Sequence, residues 1–539
     1  MMQKTGGEIL VELLLHYGVD TIFVMPGEQL DPLFKALSKR LSEIRVVHVR
    51  HEQAAAYMAY GYARSTGRVG VCVVPPGPGV LNACAGLATA YAGNTSVLCI
   101  TGQIPSRDIG KGYGLLHELP NQLGVLELIN KWAVRIETLA QAQELVSRAF
   151  CNLTEGRPRP VTIEIAPDVL SNSSAFELVP QNIKSSRLEL NSELIRKAAM
   201  LLCKAKKPLI MVGGGAYHAS ESLKILAEKL QIPVIANCSG KGVLSEKHYL
   251  SHSWPAGHRL WKETDVVLAV GTRLYQPRKL WGIDENMQII HIDVDADELA
   301  RHGGDALKIL GDSQESILAI VDALDITHEV NSREKEMKAL KCEFKKFFST
   351  LKPQIDYVNL IRETLGDDGF FIDELTQVGY VSRFAFPGFK PRTYIPPTYQ
   401  GTLGFGFASA LGVKAAHPEK NVISISGDGG FLYTATELVT SVQCKLPVVA
   451  IVFNDNAYGN VKRSQKKDGY SLGTELHNPD FVALAKSFGA IGVRVNSLAE
   501  LKTEIENGLH QELPTVIEVP IGEVPSPWAF IRLPKVRGI

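Results

Sequence analysis

Short apolar runs that end in Gly, Pro or Asp alternate with amphipathic stretches along most of the chain. Examples near the N-terminus are TIFVMPG, RVVHVRHE, VGVCVVPPGPG, SVLCITGQ and VTIEIAP. Runs that are apolar at nearly every position are typical of strands covered by helices on both faces of a parallel sheet. The pattern therefore predicts an α/β architecture of strands joined by crossover helices.

The same pattern recurs in two further blocks. The second contains KPLIMVGGG, IPVIANCSG, DVVLAVGTRL and QIIHIDVD, and the third contains FFIDE, NVISISGDGG, LPVVAIVF and PTVIEVP. The stretch 168–191 is expected to be a linker, and the charged segment THEVNSREKEMKALKCEFKKF is expected to be a helical connector. We predict three doubly wound parallel-sheet domains, over residues 1–175, 190–328 and 352–539 of the 539-residue chain.

Composition narrows the function classes. The 57 Lys and Arg residues balance the 57 Asp and Glu residues, which argues against a non-specific nucleic-acid binder. The N-terminus has the pattern of an amphipathic helix, with Glu8 and Glu12 among apolar residues, and no apolar run is long enough to span a membrane. Eight scattered cysteines without a CxxC pair favour reduced thiols and a cytoplasmic protein.

The segment most informative about chemistry is GDGGFLYTATELVTSVQCKLPVVAIVFNDNAYG, residues 427–459. A strand ends at the GDGG turn, a helix is predicted over about residues 431–443, and a second strand follows. Asp428 and Asp455, 27 residues apart, are therefore expected at the carboxyl edge of neighbouring strands. Two carboxylates at one edge repel each other unless a cation joins them, and such oxygen ligands suit Mg²⁺ shared with a phosphate group.

A lone GDG has a simpler interpretation, in which Asp428 caps a helix and NDN is an ordinary turn. The full arrangement of strand, GDG, helix, strand and NDN is much rarer and is the signature of thiamine diphosphate (ThDP) enzymes. On these residues the chain resembles the acetolactate synthase and benzoylformate decarboxylase family. That resemblance implies, in order, a pyrimidine-binding domain, a central domain and a diphosphate-binding domain.

The resemblance implies a metal and diphosphate site in the third block. Asp428 and Asp455 would bind Mg²⁺ by their side chains and Ala457 by its carbonyl, although many relatives have Asn where Asp455 stands. Gly401, in QGTLGFGFASALG, would accept a hydrogen bond from the 4′-amino group, and Leu403 would lie between the two rings. The other residues assigned to the cofactor here are Gly427, Gly429, Gly430, Asn456 and Gln377, the two glycines after Asp428 leaving room for phosphates.

The first block is similar to the family segment that carries an activating glutamate, here Glu52 in HVRHEQAAAYMAYGYARSTGRVGV. A carboxylate hydrogen-bonded to N1′ of the aminopyrimidine promotes its imino tautomer, which removes the proton from thiazolium C2. The alternative for Glu52 is a glutamate stabilised by the helix dipole. Pro26, Pro78 and Asn82 stand where the family lines the pyrimidine.

The substrate pocket departs from the family pattern. Polar Glu28 and Gln29 follow the first Pro-Gly turn, and Leu116-His117 replaces an aromatic–Gln pair of acetolactate synthases. Since histidine side chains commonly accept and donate protons in enzymes, His117 is a candidate proton relay, the alternative being a solvated loop histidine. Ser464 stands where a tryptophan narrows the acetolactate synthase pocket. Glu28, Gln29 and His117 therefore join Glu52 as candidate catalytic residues.

The resemblance implies an enzyme that depends on ThDP and Mg²⁺ and makes or breaks a C–C bond next to a carbonyl. The first hypothesis is acetolactate synthase-like carboligation from a 2-oxo acid through a decarboxylated enamine, and the alternative is a 2-oxo acid decarboxylase or aldehyde lyase of the benzoylformate decarboxylase type. A non-catalytic relative is a further alternative.

The resemblance also bears on partners and further cofactors. It implies a homodimer or homotetramer with the cofactor at the subunit interface and small 2-oxo acids or aldehydes as substrates. We expect no nucleic-acid or membrane partner. Acetolactate synthases bind FAD in the central domain, but the flavin-contacting residues are not recognisable in HSWPAGHRLWKETDVVLAVGTRLYQP, so FAD is possible but not favoured.

Overall fold

The computed structural model describes residues 2–179, 188–301, 303–304, 306–326 and 330–538. The chain divides into two compact units. The first comprises Met1–Ser186, Ile372–Leu375 and Pro397–Pro520, and the second comprises Arg187–Phe371, Thr376–Pro396 and Ile521–Ile539.

The first sheet belongs to the first unit and follows a short N-terminal strand. The strands are β1 (Met2–Thr5), β2 (Thr21–Val24), β3 (Arg45–His48), β4 (Gly70–Val74), β5 (Val97–Thr101), β6 (Trp132–Ile136), β7 (Val161–Ile165) and β8 (Ser173–Phe176). Six of them form a parallel sheet in the order β3-β2-β4-β5-β7-β6. The helices are α1 (Gly6–His16), α2 (Asp31–Ser38), α3 (Glu52–Thr66), α4 (Pro78–Ala92), α5 (Gln122–Ile129), α6 (Leu139–Thr154) and α7 (Pro167–Ser171).

Four of the five apolar runs that predicted this sheet are its central strands, and the fifth, RVVHVRHE, contains the edge strand β3. Every residue of β2, β4, β5 and β7 is buried, as expected when helices cover both faces. The supposed linker at 168–191 is wrong in its first part, because α7 occupies its start and β8 pairs antiparallel with β1. Residues 180–187 of that stretch lie outside the described part of the chain.

The central sheet belongs to the second unit. Its strands are β9 (Pro208–Val212), β10 (Val234–Ala236), β11 (Ser251–His252), β12 (Val266–Val270), β13 (Gln288–Asp293) and β14 (Ala306–Leu310), and its helices are α8 (Ser192–Lys204), α9 (Ser220–Leu230), α10 (Trp254–Trp261), α11 (Ala296–Ala300), α12 (Ser313–Asp322) and α13 (Glu334–Phe348). The strands run parallel in the order β11-β10-β9-β12-β13-β14. This is the strand order of a doubly wound sheet, in which successive strands are added on one side of β9 up to β11 and on its other side from β12 onward. Helix α13 confirms the helical part of the predicted connector, of which residues 327–329 lie outside the described part.

The last sheet has the order β16-β15-β17-β18-β20-β19. Its elements in chain order are α14 (Gln354–Leu365), β15 (Phe370–Ile372), α15 (Gln377–Ala385), β16 (Tyr394–Ile395), α16 (Phe405–Ala416), β17 (Val422–Gly427), α17 (Asp428–Phe431), α18 (Glu437–Gln443), β18 (Val449–Asn454), α19 (Gly459–Lys467), α20 (Phe481–Ser487), β19 (Ile491–Arg494), α21 (Leu498–Leu509) and β20 (Thr515–Pro520), and α22 (Trp528–Ile531) follows. Strands β17, β18, β20 and β19 pair in parallel.

Three parallel six-stranded sheets with interspersed helices confirm the predicted α/β fold class. The helix predicted over about residues 431–443 is confirmed in its second half as α18, and it is wrong in its first half, because α17 ends at Phe431 and α18 begins only at Glu437. The buried Thr434 hydroxyl donates to the carbonyl of Gly404, and the amide of Thr434 donates to the carbonyl three residues earlier. A β-branched residue that bonds elsewhere in the fold thus interrupts the helix.

Two further expectations concern the environment of the protein. All eight cysteines are free thiols. Every described helix is too short or too polar to cross a lipid bilayer.

Candidate active site

Asp428 and Asp455 follow two neighbouring parallel strands of the third sheet. Strand β17 ends at Gly427 and β18 at Asn454, and the two strands pair so that Gly427 lies opposite Phe453. The backbone amide of Ala457 donates to both carboxylates, and Asp428 is only 2% exposed. The two carboxylates therefore lie together at the carboxyl edge of the sheet, as their spacing predicts.

The surroundings of Asp428 and Asp455 disfavour the ionised form of both carboxyl groups. Burial raises the pKa of Asp455 to about 6, and the charge of Asp428 is the second cause. Burial also raises the pKa of Asp428, against hydrogen bonds from Asn478 and from backbone amides. A divalent cation relieves this kind of repulsion, because it replaces the lost hydration of both carboxylates.

Amide oxygens complete an oxygen-rich cluster around Asp428. The side-chain nitrogen of Asn478 donates to Oδ2 of Asp428 at 2.6 Å and to the side-chain oxygens of Asn454 and Asn456 at 3.1 Å each. One amide group has two hydrogens for these three acceptors. Asn478 comes from the loop before α20, and the motif around Asp428 gives no sign of it.

The glycine pair after Asp428 is required by packing within the protein. A Cβ on Gly429 would lie 2.6 Å from the ring of Tyr458, and one on Gly430 would lie 2.4 Å from Oε1 of Glu374. The N-cap of α17 is Gly427, and Asp428 is its first helical residue, so the simple interpretation of Asp428 as an N-cap does not hold. Phosphate binding at these glycines stays a prediction.

Glu52 and Asn82 are in contact. Glu52 is the first residue of α3, after His51, whose ring nitrogen accepts a hydrogen bond from the amide of Gln53. Its carboxylate accepts a hydrogen bond from Nδ2 of Asn82 at 3.0 Å, and a Cβ on Gly79 would lie 3.3 Å from its other oxygen. Two residues predicted from separate motifs thus lie at one edge of the first sheet. Pro78, which begins α4 beside them, is exposed.

The predicted catalytic residues His117 and Gln29 also meet. Nδ1 of His117 lies 3.1 Å from Oε1 of Gln29, and the Gln29 amide donates to the carbonyl of Leu116 at 3.4 Å. His117 has a φ of 71°, and its carbonyl would be 2.6 Å from a Cβ on Gly77, the first glycine of the GPG turn. The pair therefore lies beside the predicted pyrimidine segment, and the neighbours Glu28 and Pro26 are exposed.

The segment before α16 carries Gly401 and Leu403. Gly401 has a φ of 60°, which favours glycine, and Leu403 is half-buried, with a methyl 3.8 Å from the Cβ position of Gly430. The hydroxyl of Thr402, between them, lies 3.0 Å from that of Thr89 on α4. Gln377 is the first residue of α15 and belongs to the second unit.

The chain matches three family models. They are described as the N-terminal TPP binding domain, the central domain and the C-terminal TPP binding domain of thiamine pyrophosphate enzymes, and they cover residues 4–125, 195–320 and 376–519. The chain is 33% identical over 526 residues to a probable 2-ketoarginine decarboxylase of Pseudomonas aeruginosa, with 96% of this chain and 94% of the relative covered. The chain belongs to the thiamine pyrophosphate enzyme family.

Other relatives of this thiamine pyrophosphate enzyme carry a different name. It is 34% identical over 548 residues to a probable acetolactate synthase large subunit of Methanocaldococcus jannaschii, with 96% of this chain and 92% of the relative covered. It is 30% identical over 539 residues to the acetolactate synthase isozyme 3 large subunit of Escherichia coli, with 95% and 93% covered. The chain is therefore an enzyme that acts on C–C bonds, and its TPP binding domains support ThDP, the same compound as thiamine pyrophosphate, as cofactor.

Sequence reasoning missed the buried carboxyl of Glu374 in this thiamine pyrophosphate enzyme. Glu374 is 1% exposed, accepts hydrogen bonds from the amides of Gly404 and Gly406 at 2.9 Å, and accepts from the hydroxyl of Ser426 at 2.7 Å. Burial raises its pKa. Glu374 therefore joins the start of α16, which directly follows Leu403, to the strand before Asp428. The acidic pair after the apolar run FFI was a sequence signal for it.

Proposed function

We propose that this enzyme binds ThDP together with Mg²⁺ and makes or breaks a C–C bond next to the carbonyl of a 2-oxo acid or an aldehyde. The observation that carries the proposal is the carboxylate pair of the buried Asp428 and the half-buried Asp455, at the ends of adjacent strands with raised pKa values. The proposed domains are 1–175 for the pyrimidine, 190–328 in the centre, where FAD is not favoured, and 352–539 for the diphosphate.

Carboxylate and carbonyl oxygens, such as those of Asp428, Asp455 and Ala457, are the ligands that a hard divalent cation takes. Asp428 and Asp455 would hold Mg²⁺ by their side chains and Ala457 by its carbonyl. The residues proposed to face the diphosphate are Gly427, Gly429, Gly430 and Asn456. The hydrogen bonds from Asn478 would keep the Asp428 carboxylate turned toward its neighbours at this edge.

When bound, ThDP supplies a carbon nucleophile that can accept the negative charge left when a 2-oxo acid loses its carboxyl group. Glu52 would hold a proton at N1′ of the pyrimidine, and Asn82 fixes the orientation of its carboxylate. The carbonyl of Gly401 would accept from the 4′-amino group, and Leu403 would keep the two rings apart. Pro26 and Pro78 would bound the pyrimidine.

Acetolactate synthase-like carboligation is the first candidate reaction. It is supported by the relatives named acetolactate synthase, which align along nearly the whole chain. It is also supported by Leu116, which is 64% exposed beside His117 and leaves space for an acceptor.

Decarboxylation to an aldehyde is the second candidate, and the contact between His117 and Gln29 favours it. A histidine whose ring is oriented by an amide can hand a proton to a reacting carbon, which ends the reaction before an acceptor is used. The relative named 2-ketoarginine decarboxylase supports the same candidate. Glu28, exposed next to Gln29, would supply a second acidic group.

We further assign the cofactor to the interface of a homodimer or homotetramer in the cytoplasm. Support comes from exposed apolar side chains beside the proposed pyrimidine and diphosphate residues. Leu81, next to Asn82, is 49% exposed, and Tyr433, shortly after Gly430, is 52% exposed. The eight free thiols support a reducing compartment.

Two experiments test the proposal. Titration calorimetry of the cofactor-free protein should show ThDP binding only when Mg²⁺ is present, and no binding with both would contradict the proposal. Incubation of the loaded enzyme with a panel of 2-oxo acids, followed by product analysis by NMR, separates the candidates. A 2-hydroxy ketone or acetohydroxy acid supports carboligation, and an aldehyde alone supports decarboxylation.

A further inference from the structure

A buried carboxyl outside the predicted cofactor residues lies against the turn that leads to Glu52. Glu437 is fully buried at the start of α18. Its two oxygens lie 3.0 and 3.2 Å from the backbone nitrogen of Arg50, and the backbone amide of His51 also donates to it. A side chain on α18 thus holds the backbone of the two residues just before Glu52.

The contacts of Glu437 leave it little freedom. The hydroxyl of Thr440 donates to Oε2 at 2.6 Å, one helical turn further along α18. Together the hydroxyl and the two amides supply three hydrogen bonds to one carboxylate, which accepts without donating when it is ionised. Without Glu437, the amides of Arg50 and His51 would lose a buried acceptor.

The turn itself has only a few other anchors. The amide of Val49 donates to the carbonyl of Val24 at 3.0 Å, which fixes the end of β3, and the His51 ring caps α3. Arg50 donates to the side chain of Gln443 at 3.4 Å, at the far end of α18. The position of the first residue of α3, Glu52, therefore depends on α18.

We propose that Glu437 is a positioning residue, which fixes the Arg50–His51 turn so that the carboxylate of Glu52 is held against Asn82 at the cofactor edge. The inference rests on the proposed role of Glu52 in acid–base chemistry. Displacement of a reacting group by about 1 Å can slow an enzymatic step about 100-fold, so a loosened turn is costly even when the cofactor still binds.

The first measurement needs no cofactor. Hydrogen–deuterium exchange of the cofactor-free protein, followed by mass spectrometry of peptides that cover residues 45–56, reports on the amides of Arg50 and His51. Glu437→Ala should speed exchange of these amides at least about tenfold, and Glu437→Gln, which keeps one acceptor oxygen, should speed it less. Unchanged exchange in Glu437→Ala would overturn the proposal.

The second measurement uses ThDP and Mg²⁺ as probes, without a substrate. The rate at which the C2 proton of bound ThDP exchanges with deuterium, read by NMR after an acid quench, should fall at least about tenfold in Glu437→Ala. The dissociation constant of ThDP should stay within about threefold of the wild-type value. In the background of Glu52→Gln, Glu437→Ala should have no further effect, because both changes remove the same contribution.

The controls separate positioning from general damage. Glu298→Gln changes a carboxyl that is 3% exposed in the second unit, and it should leave the C2 exchange rate unchanged. If Glu437→Ala does not fold, Glu437→Gln takes its place in every comparison. The inference is overturned if Glu437→Ala lowers the C2 exchange rate further in the Glu52→Gln background, or if it lowers ThDP affinity as much as the exchange rate. Either result leaves the proposed role of Glu52 in place. A Glu52→Gln enzyme with wild-type C2 exchange overturns the proposed role of Glu52 itself.

Discussion

The amide of Asn478 donates to the carboxylate of Asp428 at 2.6 Å, although the two residues are 50 positions apart in the sequence. The same amide reaches the side-chain oxygens of Asn454 and Asn456. Oxygen atoms of three residues, from the segment after β17 and the segment at the end of β18, therefore surround a single donor group. Since carboxylate and amide oxygens are ligands of hard cations, this arrangement makes Asp428 the most informative position to change.

Asp428→Asn should separate metal binding from local structure. Asparagine keeps an oxygen that can accept from the amides of Gly429 and Ala457, but it is a poorer metal ligand. We expect apparent ThDP affinity to collapse, with only partial recovery at high Mg²⁺, in titration calorimetry. Wild-type dependence on ThDP and Mg²⁺ in this variant would contradict the assignment.

Although Asp428→Asn should lose affinity for ThDP, its stability without metal should not fall. The charge of Asp428 is one cause of the raised pKa of Asp455, after burial. Removal of that charge should leave the metal-free variant at least as stable as the wild type near neutral pH. Thermal unfolding in the presence of a chelator checks this, and a large loss of stability would show that Asp428 acts mainly in folding.

Glu52→Gln should retain the cofactor and lose the reaction. The glutamine keeps an oxygen to accept from Asn82 but cannot hold a proton between it and N1′ of the pyrimidine. We expect kcat to fall about 10²- to 10⁴-fold, the range of acid–base assistance, with ThDP affinity nearly unchanged. Steady-state kinetics with the preferred 2-oxo acid checks this, and Gln53→Ala, one residue further along α3, is the matched control.

Particular residues show how far the sequence alone could lead. The spacing of Asp428 and Asp455 predicted their common sheet edge, because period and chain direction fix where parallel strands end. The contacts of Asn478 and Glu437 were not predictable, because they join segments 50 and 387 positions apart, and no local pattern encodes such a meeting. The broken helix at Thr434 was missed for the same reason, since its hydroxyl bonds to a carbonyl 30 residues away.

His117→Asn should change which product forms. Asparagine tolerates the positive φ of this position and can still contact Gln29, but it does not titrate near neutral pH. If His117 delivers a proton to the reacting carbon, the aldehyde yield should fall at least about tenfold while carboligation persists. Product analysis by NMR with an aldehyde acceptor present checks this. An unchanged product ratio would remove His117 from proton delivery, and Gln29→Leu, which removes the amide contact, should act in the same direction as His117→Asn.

Glu437 should make stability depend on pH. Burial raises its pKa to about 7 from an ordinary value of 4.5. The folded protein therefore binds the proton more tightly than the unfolded chain, so this contribution is complete below about pH 4.5 and disappears as the pH rises through about 7. Because one pKa unit corresponds to about 1.4 kcal/mol, the wild type should lose roughly 2–3 kcal/mol relative to Glu437→Gln between about pH 5 and 8. Thermal unfolding of both proteins across that range measures the difference. If the difference between their unfolding temperatures stays constant with pH, the carboxyl group of Glu437 does not change its ionisation in this range. Its three hydrogen bonds would then belong to one charge state at every pH measured.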